Sequence, residues 1–520
     1  MQQTKQRITL AALASAIVAN ALGEPTVQYR VDLSQRNQQI VTIEVDVPAE
    51  SEAVELLLPV WRPGRYGVLD FAATVREYEA FDAAGAPLRV EKIRKNAWRI
   101  EPAGANEVTF LYSIFADSLG DRTRHADDSH VFLSGSSVFV LSPPHRDHEH
   151  AVHLDLPEGW AVSTGLESTG DVWLAESYDT LIDSPIEMGT HQRHIFEVEG
   201  VSTEVAIWGD VEPNWQLIEE DFGAVARVQH EIFGGNIHFD RYVYIIHAYP
   251  GGGGGTEHLN SSVCQTRPAM FTDADRWKRF MSLIAHEYFH TWNVKRFRPA
   301  ELVPYEFDRE DYTRMLWLVE GSTSYYDDLT LVRSGIIEPD DYLDIVASSV
   351  ARTESRAGRA RSSLTESSFD AWLKLWGPSS PDHTNTTVNV YTHGAMASPA
   401  LDLLIRGASG GEGTYDDVMR SLNARFDWRT SGYTMGDVIE ACNDAVGTSM
   451  SRFFEAHITG RELPPMDEAL LLAGIERFED DDAPGVLFGA STTSADGGRR
   501  ITRLLDGSPA FNAGLNVDDV

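Results

Sequence analysis

The sequence predicts a multidomain α+β chain, and three patterns along it carry that prediction. From Thr26 to about Gly209 apolar and polar residues alternate, as in Val27-Gln28-Tyr29-Arg30-Val31 and Val41-Thr42-Ile43-Glu44-Val45, with turn residues between the runs. A period of two with one apolar face belongs to antiparallel strands, so an N-terminal antiparallel β domain is expected over 22–209. From Val211 to about Leu463 helical periodicities dominate after a short β portion, giving a mainly helical second domain over 210–465. Pro464-Pro465 then interrupts the chain, and 466–520 reads as a smaller third unit. A length of 520 residues argues for several cores rather than one.

Ahead of the first strand, Lys5 and Arg7 precede a largely apolar run from Ile8 to Val18 and a small-x-small site at Ala19-Asn20-Ala21. This is the pattern of a signal peptide over 1–21, too short to remain as a span. It places the mature chain in a bacterial periplasm or outside the cell, with an uncleaved tether as the minor reading. No later segment offers a long uncharged apolar run, so no stable membrane span is expected after cleavage. Lys and Arg number 43 against 79 Asp and Glu, a formal charge of -36. That balance sets nucleic-acid binding aside and weakly favours cationic peptide N-termini. Only Cys264 and Cys442 occur, which excludes a disulfide scaffold and a thiolate zinc site. Their separation in sequence leaves open whether they pair.

The most informative stretch is His286-Glu287-Tyr288-Phe289-His290. Trp277, Phe280, Met281, Ile284 and Tyr288 recur at helical spacing and face a core, with Asp273 as N-cap. His286, Glu287, His290 and Asn293 fall on a second stripe. One helical turn brings both imidazoles to one tetrahedral Zn²⁺ and sets Glu287 beside an open position, where it can take a proton from water. A second apolar helix, Leu316-Trp317-Leu318-Val319-Glu320-Gly321, supplies a third ligand, Glu320. Two His and one Glu form a catalytic rather than a closed zinc set. Asn293 and Asp327 lie on the same stripes, either as partners that orient a ligand or as packing residues.

These runs, His286 to Asn293 and Trp317 to Tyr326, resemble the glycyl aminopeptidase family of gluzincin metallopeptidases. Gly253-Gly254-Gly255-Thr256-Glu257-His258 is similar to that family's Gly-Gly-x-Glu-His segment. Tyr391-Thr392-His393-Gly394 resembles its Tyr-x-Lys-Gly segment, with His393 in place of Lys. Pro59-Val60-Trp61-Arg62-Pro63-Gly64-Arg65-Tyr66 is similar to the signature of the family's leading β domain. The resemblance implies a thermolysin-like second domain, Glu257 with His258 at the substrate N-terminus, and a preference for small N-terminal residues such as Gly or Ala.

Read physically, Gly251 to Gly255 form either a flexible loop or a place where a substrate backbone approaches closely. Glu257 is then set to pair with a free α-ammonium, which measures distance from a peptide's N-terminus. Tyr391 is either a buried aromatic at a helix entry or a donor to a developing oxyanion. Ser362 to Pro381 interrupts the helical pattern as a lid or cleft wall. His145, His148, His150 and His153 read as a solvated loop, a second metal site being the minor alternative. Gly485-Val486-Leu487-Phe488-Gly489 and Gly507-Ser508-Pro509-Ala510 to Ala513-Gly514-Leu515 resemble a PDZ domain's carboxylate-binding strand and helix. The third unit is thus expected to be PDZ-like, to stop short of the fold's last strands, and to take a peptide or protein C-terminus.

The expectation is a secreted zinc aminopeptidase. A zinc endopeptidase and a non-catalytic peptide-binding scaffold are the rivals.

Overall fold

The computed structural model describes residues 27–49, 52–377, 379–478 and 488–520. The expected signal peptide lies outside them. Strands Val27–Asp32 and Ile40–Pro48 bury every second residue, as their alternation dictates. They sit inside a seven-stranded sheet completed by Glu107–Phe115 and Val75–Asp82 on one side and by His150–Asp155, Val172–Ala175 and Glu167–Thr169 on the other.

One feature departs from the antiparallel expectation. Val27–Asp32 pairs in parallel with His150–Asp155, Val27 opposite His150. A parallel pair needs a long crossover, and here the chain builds other strands before returning to the sheet. The same pairing corrects part of the reading of the histidine-rich segment as a solvated loop: His145 and His148 lie in a half-buried turn, whereas His150 and His153 stand in the strand, with His150 buried and stacked on Tyr29 at 5.9 Å.

The expected boundary near residue 209 falls inside a second sheet. Gln192–Val198 and Val201–Gly209 continue into Arg241–Ala248, Ser261–Thr266 and, at the edge, Gly254–Glu257. Val201–Gly209 pairs in parallel with Arg241–Ala248. Alternating strands look alike in sequence whichever sheet they join, which is why the pattern ran on to Gly209.

Helices dominate from there to residue 472. Asp273 caps the Ala274–Phe289 helix by accepting from the Arg276 amide at 2.9 Å. Its face of Trp277, Phe280, Met281, Ile284 and Tyr288 is buried in the main core. The Leu316–Ser334 and Val390–Ser409 helices approach backbone to backbone. A Cβ on Gly321 would lie 2.4 Å from the Gly394 Cα, so only glycine pairs permit this crossing. That contact brings Tyr391, one turn before Gly394, alongside Glu320.

The two domains share apolar packing. Trp61 of the N-terminal signature donates its indole N–H to the Glu306 carbonyl at 2.6 Å and packs edge-on against Tyr305 and Trp372. The Ser362 to Pro381 interruption contains two short helices, Leu364–Phe369 and Ala371–Lys374. It forms a wall in which Trp376 contacts both Tyr66 and Tyr391.

Residues 488–520 contribute a two-stranded hairpin, Ala490–Ala495 with Gly498–Leu504, and a one-turn helix, Pro509–Asn512. The Gly485-Val486-Leu487 part of the expected PDZ-like strand lies outside the described residues. Among the described residues no helix is long and apolar enough to cross a membrane. Cys264 and Cys442 are buried free thiols.

Candidate active site

His286 lies in the last turn of the Ala274–Phe289 helix, and His290 is its C-cap residue. Each ring is fixed from behind. The Nδ1–H of His286 donates to the Asp327 carboxylate at 2.9 Å, and that of His290 to the Asn293 carbonyl at 2.7 Å. Asn293 thus orients a ring through its backbone, while its side chain ties the turn to Leu318, Val319 and Thr323 on the next helix.

Each ring gives its Nδ1–H to a partner behind it, so the two Nε2 atoms face each other across 3.1 Å, as lone pairs whenever both rings are neutral. Two lone pairs that close repel unless positive charge stands between them. Glu320 completes the triangle, its Oε2 3.4 Å from Nε2 of His290 and 3.8 Å from Nε2 of His286. A tetrahedral ion with bonds of about 2.05 Å requires ligand separations of about 3.3 Å. The three atoms therefore fit one metal ion, and all lie within 4.8 Å of one another. Burial disfavours charge on the imidazoles, yet Asp327 and Glu320 outweigh it at His286, so the surroundings stabilise a cation at this point.

Glu287 is buried, and its Oε2 has no hydrogen-bond partner among the described residues. Burial lifts its carboxyl to about 7 against the pull of His286 and His290, with Glu257 and Glu320 adding to the rise. A carboxylate poised near neutrality can accept and return a proton. Gly255 lies directly against it, since a Cβ there would fall 2.3 Å from Glu287 Oε1. Gly254–Glu257 is the edge strand of its sheet, antiparallel to Ser261–Thr266. Its outer side has no strand partner among the described residues.

At the end of this strand Glu257 is 5% exposed, and its carboxylate groups with Glu287 and His290. Burial would raise its carboxyl, but Lys295, His290 and Arg62 outweigh burial and keep it ionised. Gly64, at φ +86°, closes the same spot: a Cβ there would lie 2.4 Å from Glu257 Oε1. His258, its neighbour in the sequence motif, turns the other way, 3.4 Å from Asp183, and burial lowers its ring to about 4. Gly253 has open space around it, and Gly254 adopts φ +99°.

Tyr391 stands in the first turn of its helix, where Asn389 caps the Tyr391 amide at 2.9 Å. Its ring centre is 6.1 Å from that of His286. Burial raises its phenol, with Glu320 adding to the effect, so it remains a hydrogen-bond donor. His393 is buried and also lowered to about 4 by burial, so no charge stands there at neutral pH.

Several residues of the cleft carried no signal in the sequence. Arg122 donates to the Gly255 carbonyl at 2.9 Å and pairs with Asp121, which accepts from Thr256 at 3.2 Å. This loop of the N-terminal domain therefore clamps the edge strand of the catalytic sheet. Lys295, buried, bonds Asp183 at 2.6 Å behind Glu257. Arg62 and Gly64 stood inside a quoted motif, but nothing local showed that they would face Glu257.

The chain matches the Peptidase M61 N-terminal domain over residues 28–190 and the M61 glycyl aminopeptidase domain over 279–397. Its fold is similar to that of an aminopeptidase N family protein from Idiomarina loihiensis, at 27% identity and a TM-score of 0.89, covering 95% of this chain and 88% of that one. An M1 zinc metallopeptidase from Deinococcus radiodurans shares the fold at 14% identity and a TM-score of 0.53, covering 86% and 97%. Legionella pneumophila aminopeptidase A in complex with aspartic acid does so at 13% and 0.53, covering 84% and 49%. No curated protein matches the chain. The two loops that carry Arg62 with Gly64 and Arg122, and the helices that carry His286, His290, Glu320 and Tyr391, fall within these matched segments, and the chain is a peptidase.

Proposed function

We propose that this peptidase is a zinc-dependent aminopeptidase that releases small N-terminal residues, such as Gly or Ala, from peptides. His286, His290 and Glu320 hold the ion, which when bound supplies Lewis-acid polarisation of a water and of the scissile carbonyl. Glu287 accepts the proton that the attacking water loses and hands it to the departing amine nitrogen. The Tyr391 phenol donates a hydrogen bond to the oxygen that gains charge as the carbonyl becomes tetrahedral. The free side of Gly254–Glu257 aligns the peptide backbone, with Gly255 leaving room above Glu287.

The observation that carries the exopeptidase reading is the placement of Glu257. Its ionised carboxylate ends the substrate strand within 4.8 Å of ligand atoms on Glu287 and His290, and Gly64 of the other domain closes the space behind it. A peptide extending further would meet that loop, whereas an α-ammonium would meet a negative charge.

The test is kcat/KM for one matched pair of free and N-acetylated substrates on wild type and Glu257→Ala. Breaking a buried charge pair from one side costs on the order of 2 to 5 kcal/mol. The variant should therefore lose about two orders of magnitude or more on the free substrate and narrow the gap to the acetylated one. An unchanged ratio would make Glu257 structural. Rapid cutting of blocked peptides by the wild type would favour a zinc endopeptidase instead.

The leader over 1–21 supports a periplasmic or secreted location. We read residues 466–520 as part of a PDZ-like unit that takes a peptide C-terminus.

A further inference from the structure

A small cavity lies between the two domains, lined by Arg62, Asp179 and Asp183 from the first and by Arg298, Tyr305 and Trp428 from the second. It offers about 20 Å³ to the centre of a water-sized particle, room for a water or two or for one monatomic ion. Both arginines are buried, at 2% and 4% exposed. Each keeps a buried nitrogen, Nη1 of Arg62 and Nε of Arg298, with no hydrogen-bond partner among the described residues. A buried charged donor left unpaired is costly, and a guanidinium cannot shed its proton to escape.

The carboxylates on the cavity wall are already engaged. Asp179 accepts two bonds from Arg146, at 2.6 and 2.8 Å. Asp183 accepts from Lys295 at 2.6 Å and from the Leu259 amide at 2.8 Å. Arg298 lies over the rings of Tyr305 and Trp428 at 4.2 and 5.2 Å and gives one bond to the Lys295 carbonyl at 3.2 Å. Stacking occupies the guanidinium faces and leaves an N–H edge to be satisfied. Arg146 and Lys295 thus occupy the two wall carboxylates, and neither Arg62 nor Arg298 has a carboxylate hydrogen bond among the described residues.

We propose that this cavity binds one monovalent inorganic anion of the chloride class between Arg62 and Arg298. The space is too small for a tetrahedral oxyanion, and the two aspartates on the wall would repel a second negative charge. Arg62 also acts on Glu257, so an anion that offsets Arg62 leaves more of the Glu257 charge for a substrate α-ammonium. Chloride should therefore lower KM for free N-terminal substrates. That consequence rests on the role proposed for Glu257, whereas the binding does not.

Crystals of the full chain soaked in sodium bromide should show an anomalous peak in the cavity. Thermal melts at constant ionic strength should rise saturably by about 2 °C in chloride or bromide over gluconate, which is too large to enter. Arg298→Met, which keeps the length and removes the charge, should abolish the rise. A cavity without anomalous signal, together with equal melting in all three salts, would overturn the proposal even if that variant failed to fold. Bromide bound with KM unchanged between salts would leave the site standing and break its link to Glu257.

Discussion

Gly255 and Glu287 are in contact across the cleft: a Cβ built on Gly255 would fall 2.3 Å from the Glu287 carboxylate oxygen. The edge strand and the histidine helix are therefore packed so closely that the residue over the general base has no room for a side chain. A strand whose neighbour already fills that volume cannot accept even a methyl group without moving the base or itself.

Gly255→Ala should thus cost at least about 100-fold in kcat, because a displacement near 1 Å in a catalytic group has that order of effect. Gly253→Ala, with nothing within 4 Å of its Cβ position, should remain near wild type. Steady-state kinetics on both folded variants checks this. Equal activities would mean that Glu287 is not held where the base must act.

Glu287→Gln keeps the shape of the side chain and removes its ability to take a proton. Turnover should fall by about 10³-fold or more while zinc remains bound at one per chain. Metal analysis alongside kcat gives the answer, and substantial residual activity would refute the assignment of Glu287 as base.

Glu320→Ala removes a ligand and should lose both zinc and activity. Asp327→Asn retains a partner for the His286 ring but loses the charge behind it, and should weaken zinc binding by about 10 to 100-fold. Competition with a chelator measures both. Wild-type affinity in Asp327→Asn would reduce that carboxylate to a packing role.

Acid stability should depend on Glu187, which joins His130 of its own domain at 2.9 Å to His247 of the catalytic sheet at 3.0 Å. Burial would raise the carboxyl, but the two imidazoles outweigh burial and pull it from the ordinary 4.5 to about 2. A pKa depressed by folding stabilises the protein above the unfolded value and loses that contribution as pH falls from about 4.5 to about 2. The amount at stake is on the order of 3 kcal/mol. Thermal melts across that window should therefore fall more steeply for wild type than for Glu187→Gln. Parallel slopes would show that the carboxylate is not linked to folding.

The sequence by itself determined what local periodicity and spacing can determine. Asp273 as a cap, the apolar stripe from Trp277 to Tyr288 and the four-residue interval from His286 to His290 are properties of one helix, set by 3.6 residues per turn. Strand alternation from Val27 onward is equally local. Only the tertiary structure decided which distant elements meet. The parallel pairing of Val27–Asp32 with His150–Asp155, and the continuation of one sheet past Gly209, depend on chain crossings that leave no periodic trace. Arg122 on the Gly255 carbonyl, Gly64 behind Glu257 and His258 turned toward Asp183 belong to contacts between domains, where the deciding quantities are volume and charge supplied by the other partner. A motif states which side chains are available, and the packing of Gly321 on Gly394, or of Gly255 on Glu287, decides where they stand.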